Sequence, residues 1–131
     1  MVEPTIPVNE VQRLAALERY SILNTPAEAS FDRVVRIVAR VFAVPIAMIT
    51  FIEKDRQWFK ACFGTDLREN TRALSFCSHT ILSDRVMVVP DALLDERFRD
   101  NPVVLNMGLH FLRRSAIANR GWKAQSIRVL E

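Results

Sequence analysis

Three observations on the sequence predict an α+β domain, with an antiparallel sheet and helices packed on one side of it. Two stretches, Val11–Leu23 and Phe31–Phe42, carry apolar residues at helical spacing. Two short runs rich in β-branched and aromatic residues follow, Ile46–Ile52 and Gln57–Phe63, joined by the polar Glu53–Arg56. That pattern is a hairpin. A third run, Val86–Val89, is stopped by Pro90 and reads as another strand. At 131 residues, half of them hydrophobic and a quarter charged, the chain has the length and composition of one globular domain. This balance excludes a disordered or fibrous protein.

Taken in order, residues 1–12 form a lead-in containing Pro4 and Pro7, with Asn9 placed to cap a helix and Glu10 in its first turn. In the first helix Val11, Leu14, Ala15, Leu17, Ile22 and Leu23 approximate one stripe, while Gln12, Arg13, Glu18 and Arg19 face away. Asn24-Thr25-Pro26 ends it, because the residue before a proline is driven out of the α region. In the second helix Phe31, Val34, Val35, Val38, Val41 and Phe42 share a face, with Asp32, Arg33, Arg36 and Arg40 opposite. Its valines are poor helix formers, so packing must hold it. The hairpin ends at Gly64, and Asp66–Thr71 is a charged loop. Leu74–Leu82 is a short helix capped by Ser75, and Asp91–Asn101 is a helical turn or two anchored by Leu93, Leu94 and Phe98.

No apolar run approaches the ~18 residues of a membrane span, and the N-terminus lacks the basic and apolar segments of a signal peptide. Two cysteines, Cys62 and Cys77, are too few for a disulfide framework. The expectation is a cytoplasmic protein. The net charge of +3 is unevenly placed: Arg113, Arg114, Arg120, Lys123 and Arg128 against Glu131 give residues 104–131 +4, leaving residues 1–103 near −1. Basic character confined to a tail is not a nucleic-acid footprint on a folded face.

Between Arg13 and Val103 the chain resembles a GAF domain, a small ligand-binding or dimerising module of bacterial signalling proteins. The residues that carry the likeness are Leu14–Pro26, Phe31-Asp32-Arg33, Val44-Pro45-Ile46-Ala47, the hairpin Asp55–Lys60, the loop Ser75–Leu82, Val88–Ala92 and Asp95–Pro102. Residues 13–103 are therefore assigned to a GAF-like domain and residues 104–131 to a divergent basic tail. Such domains continue with a Phe-Tyr-Ala-Gly strand, a glycine turn and a final strand. This chain instead reads Leu109-His110-Phe111-Leu112-Arg113-Arg114-Ser115-Ala116, so the C-terminal strands are expected to be atypical or missing. Codons exist for Phe111–Ala116 that give Phe-Tyr-Ala-Gly when read one nucleotide out of phase. The tail is then either a frameshifted reading of an ordinary domain or a divergent segment that still supplies a strand, Phe111–Ala118. In either case Arg113 and Arg114, as neighbours in a strand, face opposite sides.

The candidate site residues are Cys77, His79, Phe76 and Trp58. In a strand Cys77 and His79 share a face; in a helix they stand roughly 200° apart. A reactive thiol needs a base or a positive neighbour, and His79 and Arg72 are at hand. The plainer reading is a small buried thiol beside a histidine that bonds the backbone. The resemblance implies that this loop lines a ligand pocket. Trp58 and Phe59 alternate, one inward and one outward, and offer a stacking or dimer surface. Cys62, Cys77, His79 and His110 match a zinc set in number without its spacing, so no metal is expected. Bilin-binding relatives attach their chromophore through cysteine followed directly by histidine, and Ser78 intervenes here. The cofactor is unknown.

The resemblance implies a non-catalytic sensory or regulatory module that binds a small ligand or mediates dimerisation. It implies a fragment or remnant of a larger sensor of the histidine kinase, two-component or cyclic-dinucleotide enzyme type. Expected partners are a small molecule, a second copy paired through the lead helix, or an output domain, with neither nucleic acid nor membrane. The alternative is a thiol-dependent enzyme of the free methionine sulfoxide reductase kind, which needs Cys62 and Cys77 close in space.

Overall fold

The computed structural model describes residues 1–106 together with the backbone of 115–118 and 125–130. Its helices are α1 (Glu10–Arg19), α2 (Ala29–Val41), α3 (Phe76–Thr80) and α4 (Pro102–Asn106). Its strands are β1 (Ile46–Ile52), β2 (Arg56–Phe63), β3 (Glu69–Thr71), β4 (Met87–Val89), β5 (Ser115–Ala118) and β6 (Gln125–Leu130). The strands form an antiparallel sheet in the order β3-β2-β1-β6-β5-β4.

The expected hairpin lies at the heart of this sheet. Ala47 faces Phe63 and Ile49 faces Ala61, and then the register slips so that Thr50 faces Phe59 and Ile52 faces Gln57. Lys60 is the extra residue of this bulge. At the far end Gly64 adopts φ +79°, and a Cβ there would lie 1.9 Å from the carbonyl oxygen of Pro45. Only glycine lets the strand end pass so close to the chain entering β1.

The C-terminal strands are present in the sheet, although their sequence is atypical. β6 pairs with β1 from Ile46↔Leu130 to Phe51↔Gln125, and β5 joins β6 to β4. β5 covers the last four residues of the Phe111–Ala118 stretch read as a strand. Arg113, Arg114 and His110 lie outside the described residues.

The two long helices share one face of the sheet. There Leu17, Val35, Ala39 and Val44 pack on Ala47, Ile49, Phe51, Trp58 and Ala61. The other face is covered by the segment that holds α3 and α4, with Phe76, Val89, Ala92, Phe98 and Val104 against Met48 and Phe59. Burial on both faces explains why β1 reads as an apolar run interrupted only by Thr50.

Several local expectations are corrected. The first helix stops at Arg19, because Ser21 turns into the left-handed region at φ +49° and Asn24 does so again at φ +59°. Ile22 and Leu23 still pack on the core, from the connection that follows. Val11 is 78% exposed while Arg13, read as facing away, is only 2% exposed. The charged loop Asp66–Thr71 contains β3, an edge strand whose pairing with Arg56–Trp58 is a backbone matter that its charges conceal. Leu94 is exposed, whereas Leu93 and Phe98 do anchor the Asp91–Asn101 turns on the core, with side-chain caps from Asp91 and Asp95 within them and from Asn101 at the start of α4.

Four cations pin these elements. Lys60, 4% exposed, donates to Thr25 Oγ1 and to the Pro26 carbonyl, both at 2.7 Å, and pairs with Glu28. Arg56, read as the last residue of the polar turn, bridges Glu53, Glu69 at 2.9 Å and Asn24 at 2.7 Å. Arg13 sends Nε and Nη2 to the Glu10 carboxylate, each at 2.9 Å, and Nη1 to the Ile52 carbonyl at 2.5 Å. Arg72 reaches the same carboxylate and the Glu53 carbonyl. Burial alone would raise the Glu10 pKa, but hydrogen bonds and charge from Arg13 and Arg72 outweigh it and hold the carboxyl at about 2.

Two outcomes follow. Gly64→Ala combines a left-handed φ with a backbone clash and should cost about 3 kcal/mol, a fall of roughly 10 °C in Tm by thermal denaturation. The Glu10 carboxyl titrates lower in the folded than in the unfolded chain, from 4.5 to about 2. Its contribution is complete above pH 4.5 and is lost as pH falls through that window. Urea titrations across the range should show this loss, and Glu10→Gln should flatten it.

Candidate functional site

Ser75 starts α3 by accepting the Cys77 N–H at 3.1 Å on its side-chain oxygen. The helix then decides the geometry that spacing alone left open: Cys77 and His79 diverge. Cys77 points into the sheet, where Sγ accepts from Gln57 Nε2 at 3.1 Å and from Thr50 Oγ1 at 3.5 Å. Gln57 Nε2 also donates to Thr50 Oγ1 at 3.0 Å. His79 turns the other way, half-buried, with its ring edge-on to Phe98 at 5.0 Å. Burial first, and then the nearby Arg97 charge, push the His79 pKa below its ordinary value. Arg97 itself lies over the Phe98 ring at 4.9 Å and is held by Asp95.

Phe76 is fully buried and stacks on Phe98, with ring centroids 4.2 Å apart. Trp58 lies on the opposite face of the sheet, tilted against Phe51 at 6.3 Å. Trp58 and Phe59 are both buried, because each face of β2 is covered. The four candidate residues therefore do not line one site. Phe76 and His79 meet through Phe98, Cys77 belongs to a separate polar knot, and Trp58 is across the sheet. The pair of thiols is also apart. Cys62 lies five residues along β2 from Gln57, which Cys77 contacts, and that is roughly 15 Å of strand. Its Sγ donates to the Leu67 carbonyl, and burial pushes its thiol up to about 11 despite Arg68 nearby. Both cysteines are free. Among the described residues no three His, Cys, Asp or Glu gather as a metal site, and no helix is long and apolar enough to cross a membrane.

Sequence reasoning missed Gln57 and Lys60. Gln57 is fully buried, and its Oε1 has no hydrogen-bond partner among the described residues. The signal was available: Thr50 and Gln57 are polar residues inside otherwise apolar runs, two register positions apart on one face. A cleft of about 650 Å³ opens elsewhere, at the outer edge of β2, lined by Thr25, Asp32, Arg36, Trp58, Phe63 and Arg68 among others.

The family profile of the GAF domain matches residues 26–121. The chain is 39% identical over 104 residues to a cyclic di-GMP phosphodiesterase of Pseudomonas aeruginosa. That match takes in 79% of this chain but spans only 18% of the relative. Among solved structures, the GAF domain of A. aeolicus nlh2, crystallised in an inactive state, is similar with a TM-score of 0.57 at 10% identity. It covers 93% of this chain and 80% of that one. The GAF domain of an Acinetobacter phosphoenolpyruvate-protein phosphotransferase is similar with a TM-score of 0.56 at 17% identity, covering 91% and 75%.

Burial of Cys77 and the raised pKa of Cys62 make the native chain nearly inert to an aromatic disulfide reagent at pH 7.5. Absorbance should report two reactive thiols only after unfolding.

Proposed function

Because the chain belongs to the GAF-domain family, we propose that it serves as a non-catalytic regulatory module of bacterial signal transduction that acts through its helical face. One observation carries this reading. Val34, Ile37 and Val41 form a row along the outer side of α2, exposed by 39%, 53% and 71%, and Phe42 extends it. Apolar residues at i, i+3 and i+7 with no cover among the described residues are a docking face for another helix. The resemblance pointed to the lead helix for this role; there Leu17 and Arg13 are turned inward, while Val11 is exposed together with Val8 just before the helix and Tyr20 at its end.

The occupant we favour is a second copy of the chain, paired α2 to α2. The likeness to a much longer cyclic di-GMP phosphodiesterase supports a module that is a fragment or remnant of a sensor in cyclic-dinucleotide signalling. In such an assembly, a shift of α1 and α2 against the sheet would pass to a neighbouring output domain. The two free thiols suit a cytoplasmic setting.

Sedimentation equilibrium tests the pairing. The expected result is a dimer in the micromolar range, weakened at least tenfold by Ile37→Glu or Val41→Glu with no change in circular dichroism. A chain that stays monomeric at all concentrations, or a dimer indifferent to both substitutions, would exclude the α2 face.

A further inference from the structure

We infer that the cleft between the α1–α2 connection and the outer edge of β2 binds a small organic anion carried on an apolar body. This site is independent of the α2 docking face proposed above.

Its walls are fixed before any ligand arrives. The connection on one side is clamped to β2 by Lys60, through Thr25, Pro26 and Glu28, and by Arg56, through Asn24. β3 covers the β2 edge only from Arg56 to Trp58, and one further bond runs from the Phe59 N–H to the Arg68 carbonyl. Beyond that point the edge is the floor of the cleft. About 650 Å³ is ample for a small molecule, and sites for such ligands are generally preformed in this way.

Charge selects the ligand. Arg36, from α2, and Arg68, from the β2–β3 connection, both line the cleft. Arg13, Arg56 and Arg72 each pair with a glutamate, and Lys60 is neutralised by Glu28. Neither Arg36 nor Arg68 has an ion-pair partner among the described residues; Arg68 donates to the Leu67 carbonyl at 3.2 Å and lies within hydrogen-bonding reach of the Cys62 thiol. Two guanidinium groups are thus available to a carboxylate or phosphate, which they match in shape as well as in charge. Asp32 on the same lining disfavours a ligand that is anionic throughout. Trp58, Ala61 and Phe63 supply apolar floor for the remainder. Every lining residue falls between Asn24 and Arg68, so the site owes nothing to residues 104–131.

Calorimetric titration of the full chain with phenyl phosphate, benzoate and inorganic phosphate tests this. We expect phenyl phosphate or benzoate to bind with a Kd below about 1 mM, weakening as salt rises. Whichever of the two binds more tightly identifies the phosphate or the carboxylate as the natural head group. Arg36→Gln and Arg68→Gln should each weaken binding about tenfold without altering the melting temperature of the free chain. Arg33→Gln, on the same helix but outside the lining, should leave it unchanged. Failure of both aromatic anions to bind at ~10 mM would overturn the proposal, as would binding that ignores both arginine substitutions. Inorganic phosphate binding as tightly as phenyl phosphate would refute the apolar component.

Discussion

The carboxylate of Glu10 sits between two guanidinium groups, Arg13 from its own helix and Arg72 from the segment that leads into α3. Arg13 also caps the last carbonyl of β1, and Arg72 holds the carbonyls of the hairpin turn. One corner of the molecule thus joins the lead helix, the central hairpin and the cover of the opposite sheet face. α1 has only Leu17 fully sunk in the apolar core, too little to fix a helix of ten residues by burial alone. Taking a guanidinium out of water is costly unless its donors are met. That cost makes the geometry strict: α1 fits only where Ile52 and Glu10 meet Arg13 together.

The two faces of the sheet are built from different materials. Beneath α1 and α2 the contact is apolar, with Lys60 closing its rim. Beneath α3 the apolar contact is interrupted by Thr50, Gln57 and the Cys77 thiol, hydrogen-bonded to one another. The orphaned Gln57 Oε1 marks this face as the less completely satisfied of the two. β1 and β2 belong to both faces, so a displacement at one is felt at the other through the same backbone.

Much of this was legible in the sequence, for identifiable reasons. Ile46–Ile52 and Gln57–Phe63 are strands because β-branched and aromatic runs flank a polar turn, and their bounds agree within a residue. Ser75 correctly marked the start of α3. Arg13 was misread because periodicity sorts residues by polarity, while its burial depends on a carbonyl 39 positions away. The cysteine–histidine spacing fits both a helix and a strand, so only the fold could separate the two residues. Trp58 and Phe59 were read as one inward and one outward, which presumes a sheet with a wet face. The cleft arginines looked like ordinary surface charge, since nothing local in the sequence sets residue 36 beside residue 68.

The strand order has a consequence for synthesis. β1 lies between β2, its immediate successor, and β6, which follows much later along the chain. At 5–20 residues per second, the roughly 70 residues between β1 and β6 keep one edge of the hairpin waiting for several seconds. During that interval a nascent chain presents unpaired backbone along its most hydrophobic strand, the kind of template on which neighbouring chains aggregate. The early helices can cover a face of that strand but not its edge. The yield of folded protein from a ribosome is therefore governed by how quickly β6 follows, and by what shelters β1 until then.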